Sequence, residues 1–423
     1  MKTVKYGMIA LAAVAILVCA PLAAGNASGY IVFNGRTYTP TLIDEFDYLD
    51  FGKWSYCPEM ERQDAGGEWR NACSTVEDGK LVITCAVAED GTPISGGLRS
   101  RSAYEQTFGL YHMRFKMEYA DGLWYAFWLY TDRMEEGSVG SGATDGAELD
   151  IVEIVPKPGE LCMSVHWDGY GEELKSCCEL THVDKGFFDE YHELWYEWDQ
   201  DGYRLYLDGT DEDCLLFDFP GSEEKYGDGT CAVPCDLVIS AEFGTWGGDI
   251  DETQLPAHFY VDYVHAYTRV YGITYDYDGG ALPEGAGNPA GYDAINGAEL
   301  NAPVRTGSVF GGWYDNPGLN GKPMTCIPEG STGDRTLYAK WLAPSLAGGR
   351  VTAPQGSVLI LAEYDACGRL SALQCKTLDA DALCAAPSSL GLTVPAEGEH
   401  RLLLVSKGSF APLCKAYQSG QGH

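Results

Sequence analysis

Three carboxylates close together in a short apolar stretch are the residues of this chain whose spacing best suits chemistry. Glu148, Asp150 and Glu153 lie in the segment DGAELDIVEIV, whose apolar members are mostly β-branched and therefore favour a strand. Side chains alternate between faces along a strand, so Glu148 and Asp150 share one face while Glu153 points away. One extra residue near Ile151 and Val152, a β-bulge, would return Glu153 to that face.

Three ionised carboxylates in a row repel each other, so the fold gains no stability from them. They are either a solvated strand face or a catalytic group. A glycosidic bond is cleaved by two carboxyl groups that flank the anomeric carbon, one protonated and one ionised. A separation of about 5–5.5 Å gives retention of configuration, whereas a wider gap admits water and gives inversion. The short sequence spacing is compatible with a retaining mechanism.

The elements that must position these acids are also strands. Segments that alternate apolar and polar residues, such as LVITCAVA and GLYHMRFKME, recur between turn signals such as Asp78-Gly79, and no long helical period occurs. This pattern predicts an all-β protein with two stacked antiparallel sheets, a jelly-roll β-sandwich.

The segments FGLYHMRFKMEYADGLWYAFWLY, ELDIVE and VHWDGYG, in this order, resemble glycoside hydrolase family 16, and the resemblance covers about residues 41–271. In that family the pattern Glu-x-Asp-x-x-Glu lies on a bulged strand that lines a sugar-binding cleft of a concanavalin A-like sandwich, and the bulged form is typical of laminarinase-like members. The resemblance implies that Glu148 is the nucleophile, Glu153 the general acid/base and Asp150 an assisting residue.

Further residues in matching segments are candidates for substrate binding. Aromatic rings suit the flat C–H faces of sugar rings, and polar side chains suit the hydroxyls. Each of them could equally be a core or surface residue. The candidates are Trp124, Trp128, Arg99, His166, Trp167, Glu242, Trp246, Arg62 and Trp69.

The resemblance also implies a structural calcium ion, with Asp262 and carbonyl groups near Gly79 as ligands. Hard oxygen ligands of this kind suit calcium. No redox or nucleotide cofactor is indicated, since no glycine-rich phosphate loop precedes a helix. We expect the chemistry to require no cofactor.

Charge excludes some partners. The chain has 28 Lys and Arg against 62 Asp and Glu, a net charge of −34. Nucleic acids and anionic lipids would be repelled, whereas a neutral polysaccharide would not. A sulfated galactan would be repelled as well, unless the cleft is locally basic. We expect a monomer whose partner is a polysaccharide.

The N-terminus predicts secretion. Lys2 and Lys5 precede an apolar run at residues 8–18 and then small residues, which is typical of a signal peptide over residues 1–27. No later run is long and apolar enough to span a membrane, so we expect an extracellular protein, with attachment to the cell surface left open. Secretion permits disulfides among the 15 cysteines, but the sequence does not reveal their pairing.

The chain divides into three modules after the signal peptide. Residues 28–271 are predicted to be the catalytic domain. Residues 272–342 resemble an internalin-type B-repeat, or Listeria-Bacteroides repeat, on the match of Gly311, Gly312 and Trp313. Residues 343–423 are predicted to be a linker and a small β-sandwich similar to those appended to secreted bacterial glycosidases. Both C-terminal modules could contact a cell surface or a glycan.

The sequence therefore predicts a secreted, retaining endo-β-glucanase that hydrolyses β-1,3-glucan such as laminarin, or mixed-linkage β-1,3-1,4-glucan. Three alternatives stay open at this point. The protein could bind carbohydrate or adhere to a surface without turnover. It could hydrolyse a galactan, as agarases, porphyranases and carrageenases do, or it could transfer the glycosyl unit to another sugar.

Overall fold

The computed structural model describes residues 29–62, 67–101, 103–136, 146–223 and 229–419. The predicted signal peptide lies outside these residues. The described parts consist of strands joined by turns and short 3-10 helices, which confirms the all-β prediction. They contain no helix long and apolar enough to cross a membrane.

Most strands of the first 276 residues belong to two sheets. In chain order they are β1 (Ile31–Phe33), β2 (Arg36–Asp44), β3 (Ser55–Tyr56), β4 (Met60–Arg62), β5 (Gly67–Trp69), β6 (Ser74–Glu77), β7 (Lys80–Val87), β8 (Pro93–Ser95), β9 (Gly97–Arg99), β10 (Gly109–Met117), β11 (Leu123–Tyr130), β12 (Glu148–Val155), β13 (Glu160–Trp167), β14 (Lys175–His182), β15 (His192–Asp199), β16 (Gly202–Leu207), β17 (Leu215–Pro220), β18 (Asp236–Phe243) and β19 (Ala257–Asp276).

The strands that follow belong to the C-terminal modules. They are β20 (Gly291–Asp293), β21 (Ala298–Glu299), β22 (Val309–Tyr314), β23 (Cys326–Ile327), β24 (Arg335–Leu342), β25 (Val351–Ala353), β26 (Val358–Tyr364), β27 (Leu370–Thr377), β28 (Ala382–Ala385), β29 (Glu399–Val405) and β30 (Tyr417–Gln418). The 3-10 helices span Asn71–Cys73, Asp132–Glu136, Lys185–Asp189, Glu212–Cys214, Thr245–Gly247, Glu252–Gln254, Ala347–Gly349 and Pro387–Leu390.

Two sheets enclose the main core. One has the strand order β14-β13-β12-β11-β18-β9-β3, and the other contains the run β17-β16-β15-β10-β19-β7 with β2 beside β19. Strand β11 shows why they stack, because Leu123, Tyr125 and Phe127 are fully buried in the core while Trp124 and Trp128 point to the opposite face. This period of two buries one face of each sheet and leaves the other for solvent or ligand.

Strand β19 passes without interruption from the sandwich into the repeat. Its first part pairs with β7, β10 and β2, and its last residues pair with β20 and, in parallel, with β24. The repeat has its own small core around the fully buried Trp313. The predicted boundary at residue 271 therefore falls inside a continuous strand.

The last module is a separate small β-structure. Strands β27, β26, β29 and β30 form one sheet, and β25 pairs with β28. Leu359, Leu361, Leu402 and Leu404 alternate along two neighbouring strands and supply the centre of its core. Each of the three modules thus has a hydrophobic core of its own.

Candidate active site

The acids lie on β12, in the middle of the seven-stranded sheet, and the strand carries the bulge that the sequence predicts. Phe127 of β11 pairs with Val152, and the next residue, Trp128, pairs with Asp150, so Ile151 is the extra residue. Ile151 and Val152 both point into the core. Glu148, Asp150 and Glu153 consequently share one face, which we name the acid face.

The neighbouring strands bring defined partners to the acid face. Residues directly opposite each other on antiparallel strands share a face. On β11 the acids are opposite Tyr130, Trp128 and Ala126, and on β13 they are opposite His166, Ser164 and Cys162.

Glu153 occupies a shielded position on the acid face, which suits a proton donor. Only 8% of its surface is exposed. Burial raises the pKa of Glu153, and the nearby charge of Asp150 raises this pKa further. Ser164 opposes these effects, because its hydroxyl donates a hydrogen bond of 3.2 Å to Glu153 Oε2. A carboxyl group held protonated near neutral pH suits a general acid.

Asp150 is one end of a polar chain that crosses three strands. Its Oδ2 lies 3.2 Å from His166 Nε2, and His166 Nδ1 lies 2.6 Å from Ser176 Oγ. Only 5% of Asp150 is exposed, and burial raises its pKa. The predicted His166 therefore reaches the acid face, where it contacts Asp150 rather than Glu153.

Glu148 lies nearer to solvent than the other two acids and has a different partner. The hydroxyl of Tyr170 donates a hydrogen bond to Glu148 Oε2. A donated hydrogen bond stabilises negative charge on a carboxylate, which is the form that a nucleophile needs. The two glutamates thus have distinct surroundings, which is the condition for an acid and a nucleophile to act as a pair.

Trp124, Trp246 and Glu242 gather at the Glu153 end of the acid face. The rings of Trp124 and Trp246 meet edge to face at 5.5 Å, and Trp124 pairs with Glu242 across β11 and β18. The Trp246 indole N–H donates to Glu160 at 2.6 Å. The Trp124 indole nitrogen is buried and forms no regular hydrogen bond, although it lies close enough to Glu153 to favour its ionised form.

Trp128 and Trp69 take part in a small apolar cluster on the same face. Trp128 is opposite Asp150, and its indole N–H donates to Ser240 at 3.1 Å. Trp69 is buried in this cluster, and its indole N–H donates to the carbonyl of Ala241 at 3.0 Å. Trp69 is therefore packed against the sheet rather than presented to a ligand, whereas Trp128 is half-buried next to the acids.

The structure corrects the prediction that Trp167 contacts substrate. Its neighbour His166 points to the acid face, and adjacent residues of a strand point to opposite faces. Trp167 accordingly packs into the main core, where it is 4% exposed.

Arg99 lies at the margin of the acid face and is held by two carboxylates. Its guanidinium donates two hydrogen bonds, of 2.7 and 2.9 Å, to the buried Asp236 and a third, of 3.0 Å, to Asp132. These three hydrogen bonds use three of the five N–H donors of the guanidinium and hold it in place. The geometry assigns Arg99 a structural task in place of the predicted contact with substrate.

We therefore expect Arg99→Ala to reduce stability rather than substrate affinity. Removal of one partner would leave Asp236 buried and uncompensated, which costs about 3–5 kcal/mol. Urea unfolding would measure this loss, and KM of the folded fraction should change by less than about twofold. A variant with unchanged stability and a much higher KM would restore Arg99 to the substrate-binding set.

The remaining candidates lie apart from the acids. Arg62 ends β4 opposite Gly67, and its side chain is outside the described parts of the structure. Asp262 forms an ion pair with Arg114, and Gly79 lies in the turn between β6 and β7 with φ of 71°. A carboxylate already neutralised by a guanidinium fits a calcium ion poorly. Calcium stays a prediction, and no step of the chemistry below depends on it.

Comparison with known proteins identifies the fold around the acids. Residues 62–265 match the model of the glycosyl hydrolases family 16, and residues 271–340 match the Listeria-Bacteroides repeat domain. The chain contains a family 16 glycosyl hydrolase domain. Both resemblances seen in the sequence are thereby confirmed.

Individual relatives agree with the family 16 match. The chain is 28% identical to a beta-glucanase of Rhodothermus marinus over 253 residues, which are 54% of this chain and 84% of that protein. It is 25% identical to glucan endo-1,3-beta-glucosidase A1 of Niallia circulans over 256 residues, which are 53% of this chain and 37% of that protein. The solved laminarinase of Rhodothermus marinus is 25% identical, with a TM-score of 0.46, over 55% of this chain and 98% of that one.

The structure adds residues to the family 16 site that the sequence interpretation missed. Ser164 lies two positions before His166 on the same strand, so strand parity alone could have placed it on the acid face. Tyr170 lies in a loop, where no periodicity could have shown that it reaches Glu148. The structure also joins Cys162 to Cys178, a pairing that the sequence left open.

Ser164 and Asp150 should shift the basic limb of the pH profile in opposite directions. The acid must be protonated, so activity falls as pH rises through the pKa of Glu153. Ser164→Ala removes a hydrogen bond that favours the ionised form, which raises this pKa and moves the limb to higher pH. Asp150→Asn removes a neighbouring negative charge and moves the limb to lower pH. Profiles of kcat/KM would check both shifts, and two shifts of the same sign would contradict the role of Glu153.

Proposed function

We propose that this protein is a retaining endo-β-glucanase that hydrolyses β-1,3-glucan or mixed-linkage β-1,3-1,4-glucan. The observation that carries the proposal is the bulge at Ile151, which places Glu148, Asp150 and Glu153 on one face of the family 16 domain. The relatives described above, a beta-glucanase and a glucan endo-1,3-beta-glucosidase, support a glucan as the substrate.

In the first step, the Glu148 carboxylate attacks the anomeric carbon while Glu153 donates its proton to the leaving oxygen. A bond from Glu148 to the sugar forms, and the glycosidic bond breaks. The buried site of Glu153 and the adjacent charge of Asp150 hold the proton until this moment. The hydrogen bond that the Tyr170 hydroxyl donates to Glu148 stabilises the carboxylate that attacks.

In the second step, Glu153 is ionised and removes a proton from a water molecule. The resulting hydroxide attacks the anomeric carbon, releases Glu148 and restores the starting configuration. Once Glu153 has given up its proton in the first step, the hydrogen bond from the Ser164 hydroxyl stabilises its negative charge. Asp150 is held in place by His166 throughout.

The aromatic pair of Trp124 and Trp246 supplies the platform on which a sugar ring would stack. Such contacts bury apolar C–H faces and leave hydroxyls for polar side chains such as Glu242. Together with the signal-like N-terminus, this arrangement supports a secreted enzyme that acts on an extracellular polymer.

The test is product release from laminarin, mixed-linkage β-glucan and agarose. We expect the wild type to release oligosaccharides from a glucan, with a product ladder that identifies the linkage. Glu299→Gln, an exposed glutamate on β21 of the repeat, is the matched control for variants of the catalytic pair. Binding without release from any polymer would instead support an adhesive protein, and release from agarose would support a galactan hydrolase.

A further inference from the structure

A cavity of about 540 Å³ lies between the family 16 domain and the repeat. The sandwich contributes residues 105–108, Gln200 and part of the segment before β18, including Thr230. The repeat contributes Ile295 and Thr332 from two of its loops. None of the three acids lines this cavity, so it is distinct from the acid face.

The walls of the cavity are fixed to each other. Strand β19 runs through both modules, and the amide of Gln200 donates a hydrogen bond across the cavity to the hydroxyl of Thr332. On the sandwich side, Gln106 and Cys235 exchange two backbone hydrogen bonds of 3.0 and 3.1 Å. The cavity is thus preformed, which reduces the conformational entropy that the protein would lose when a ligand binds.

The lining selects a class of ligand. The Thr230 hydroxyl donates to the carbonyl of Gln200 at 3.0 Å and can still accept a hydrogen bond from a neutral partner. The Thr332 hydroxyl accepts from the amide of Gln200 and can still donate to such a partner. Phe108 and Ile295 offer apolar surface. Ile295 is 41% exposed, and one edge of Phe108 already packs on Trp198.

Among the lining residues that the structure describes there is no lysine, arginine or histidine, and Glu105 adds a negative charge. Anionic ligands are therefore disfavoured. Neutral hydroxyl groups combined with apolar faces are the chemistry of a sugar ring. The volume is within the range of about 300–1,000 Å³ typical of ligand pockets.

We propose that this cavity is a second saccharide site, which binds a neutral glucan segment away from the acids and which the repeat completes. The proposal rests on the proposed function, because it takes the same polymer as ligand. Occupation of both sites by one long chain would raise the effective substrate concentration at the acid face. Short oligosaccharides would gain nothing from it.

The binding test uses the full chain with Glu148→Gln, which removes turnover, and laminarihexaose as the probe in isothermal titration calorimetry. We expect two sites per chain. Ala232→Trp, added to Glu148→Gln, fills the cavity from an exposed position of one wall and should weaken binding at the second site at least tenfold. Ile295→Trp should weaken it in the same way from the opposite wall. Ala372→Trp, at an exposed position of β27, is the matched control.

The outcomes separate the two proposals. A single site that neither tryptophan variant weakens would overturn the second site and leave the glucanase proposal standing. No binding of the hexasaccharide at all would overturn both. In turnover, Ala232→Trp should raise KM for laminarin severalfold and leave kcat/KM for laminaritriose unchanged, and an equal effect on both substrates would also contradict the proposal.

Discussion

Glu148→Gln should abolish turnover of glucan almost completely, with kcat lowered on the order of 10⁴- to 10⁶-fold. The amide has the same size as the carboxyl group but cannot form the covalent bond to the anomeric carbon. Since Glu148 lies at the solvent side of the acid face and is not part of the core, the fold should survive the change. Reducing-end release from laminarin would measure the loss.

Azide tests whether the loss of turnover comes from the missing nucleophile rather than from a change in the fold. Glu148→Ala removes the side chain, so azide can enter the space beside the anomeric carbon and attack an activated aryl glycoside directly. Glu148→Ala should then yield the α-glycosyl azide, with inverted configuration, while Glu299→Ala should behave as the wild type. Residual activity within tenfold of the wild type would remove Glu148 from the nucleophile position.

Glu153→Gln has the second largest expected effect, a loss of about 10²- to 10⁴-fold on polysaccharide, since general acid catalysis contributes about that much. The variant cannot protonate the leaving oxygen. An aryl glycoside with an acidic phenol as leaving group needs no such proton, so its first step should remain near the wild-type rate. A pre-steady-state burst of phenol, followed by slow turnover, is the expected signature.

The outcome of azide addition should differ between the two variants. In Glu153→Gln the covalent intermediate still forms on Glu148, and azide then attacks it to give the β-glycosyl azide, with retained configuration. The same anomer from both variants would contradict the assignment of roles. Equal losses on polysaccharide and aryl glycoside would show that Glu153 is not the acid.

Strand parity predicted that the three acids share one face, because a bulge is the simplest way to bring acids at this spacing to the same side of a strand. The register of Phe127 with Val152 and of Trp128 with Asp150 confirms it. The same rule shows that His166 and Trp167 could not both reach that face. Local alternation is therefore sufficient to predict which side chains of β12 and of its neighbour β13 lie on the acid face.

Contacts between residues distant in sequence could not be predicted. Arg99 lies 137 residues from its partner Asp236, and nothing in the motif around it shows that its donors are already used. Tyr170 reaches Glu148 from a loop. The docking of the repeat depends on β19 continuing past the predicted boundary, which a change in composition after residue 271 does not reveal.

The most direct test of the proposed function is the anomeric configuration of the first products from laminarin. Proton NMR within minutes of enzyme addition measures this configuration. Double displacement through Glu148 predicts β-anomers that mutarotate afterwards, together with new reducing ends from within the polymer. Initial α-anomers would contradict the retaining mechanism and the covalent role of Glu148. If no glucan yields new reducing ends, the proposal that the protein is a glucanase is wrong.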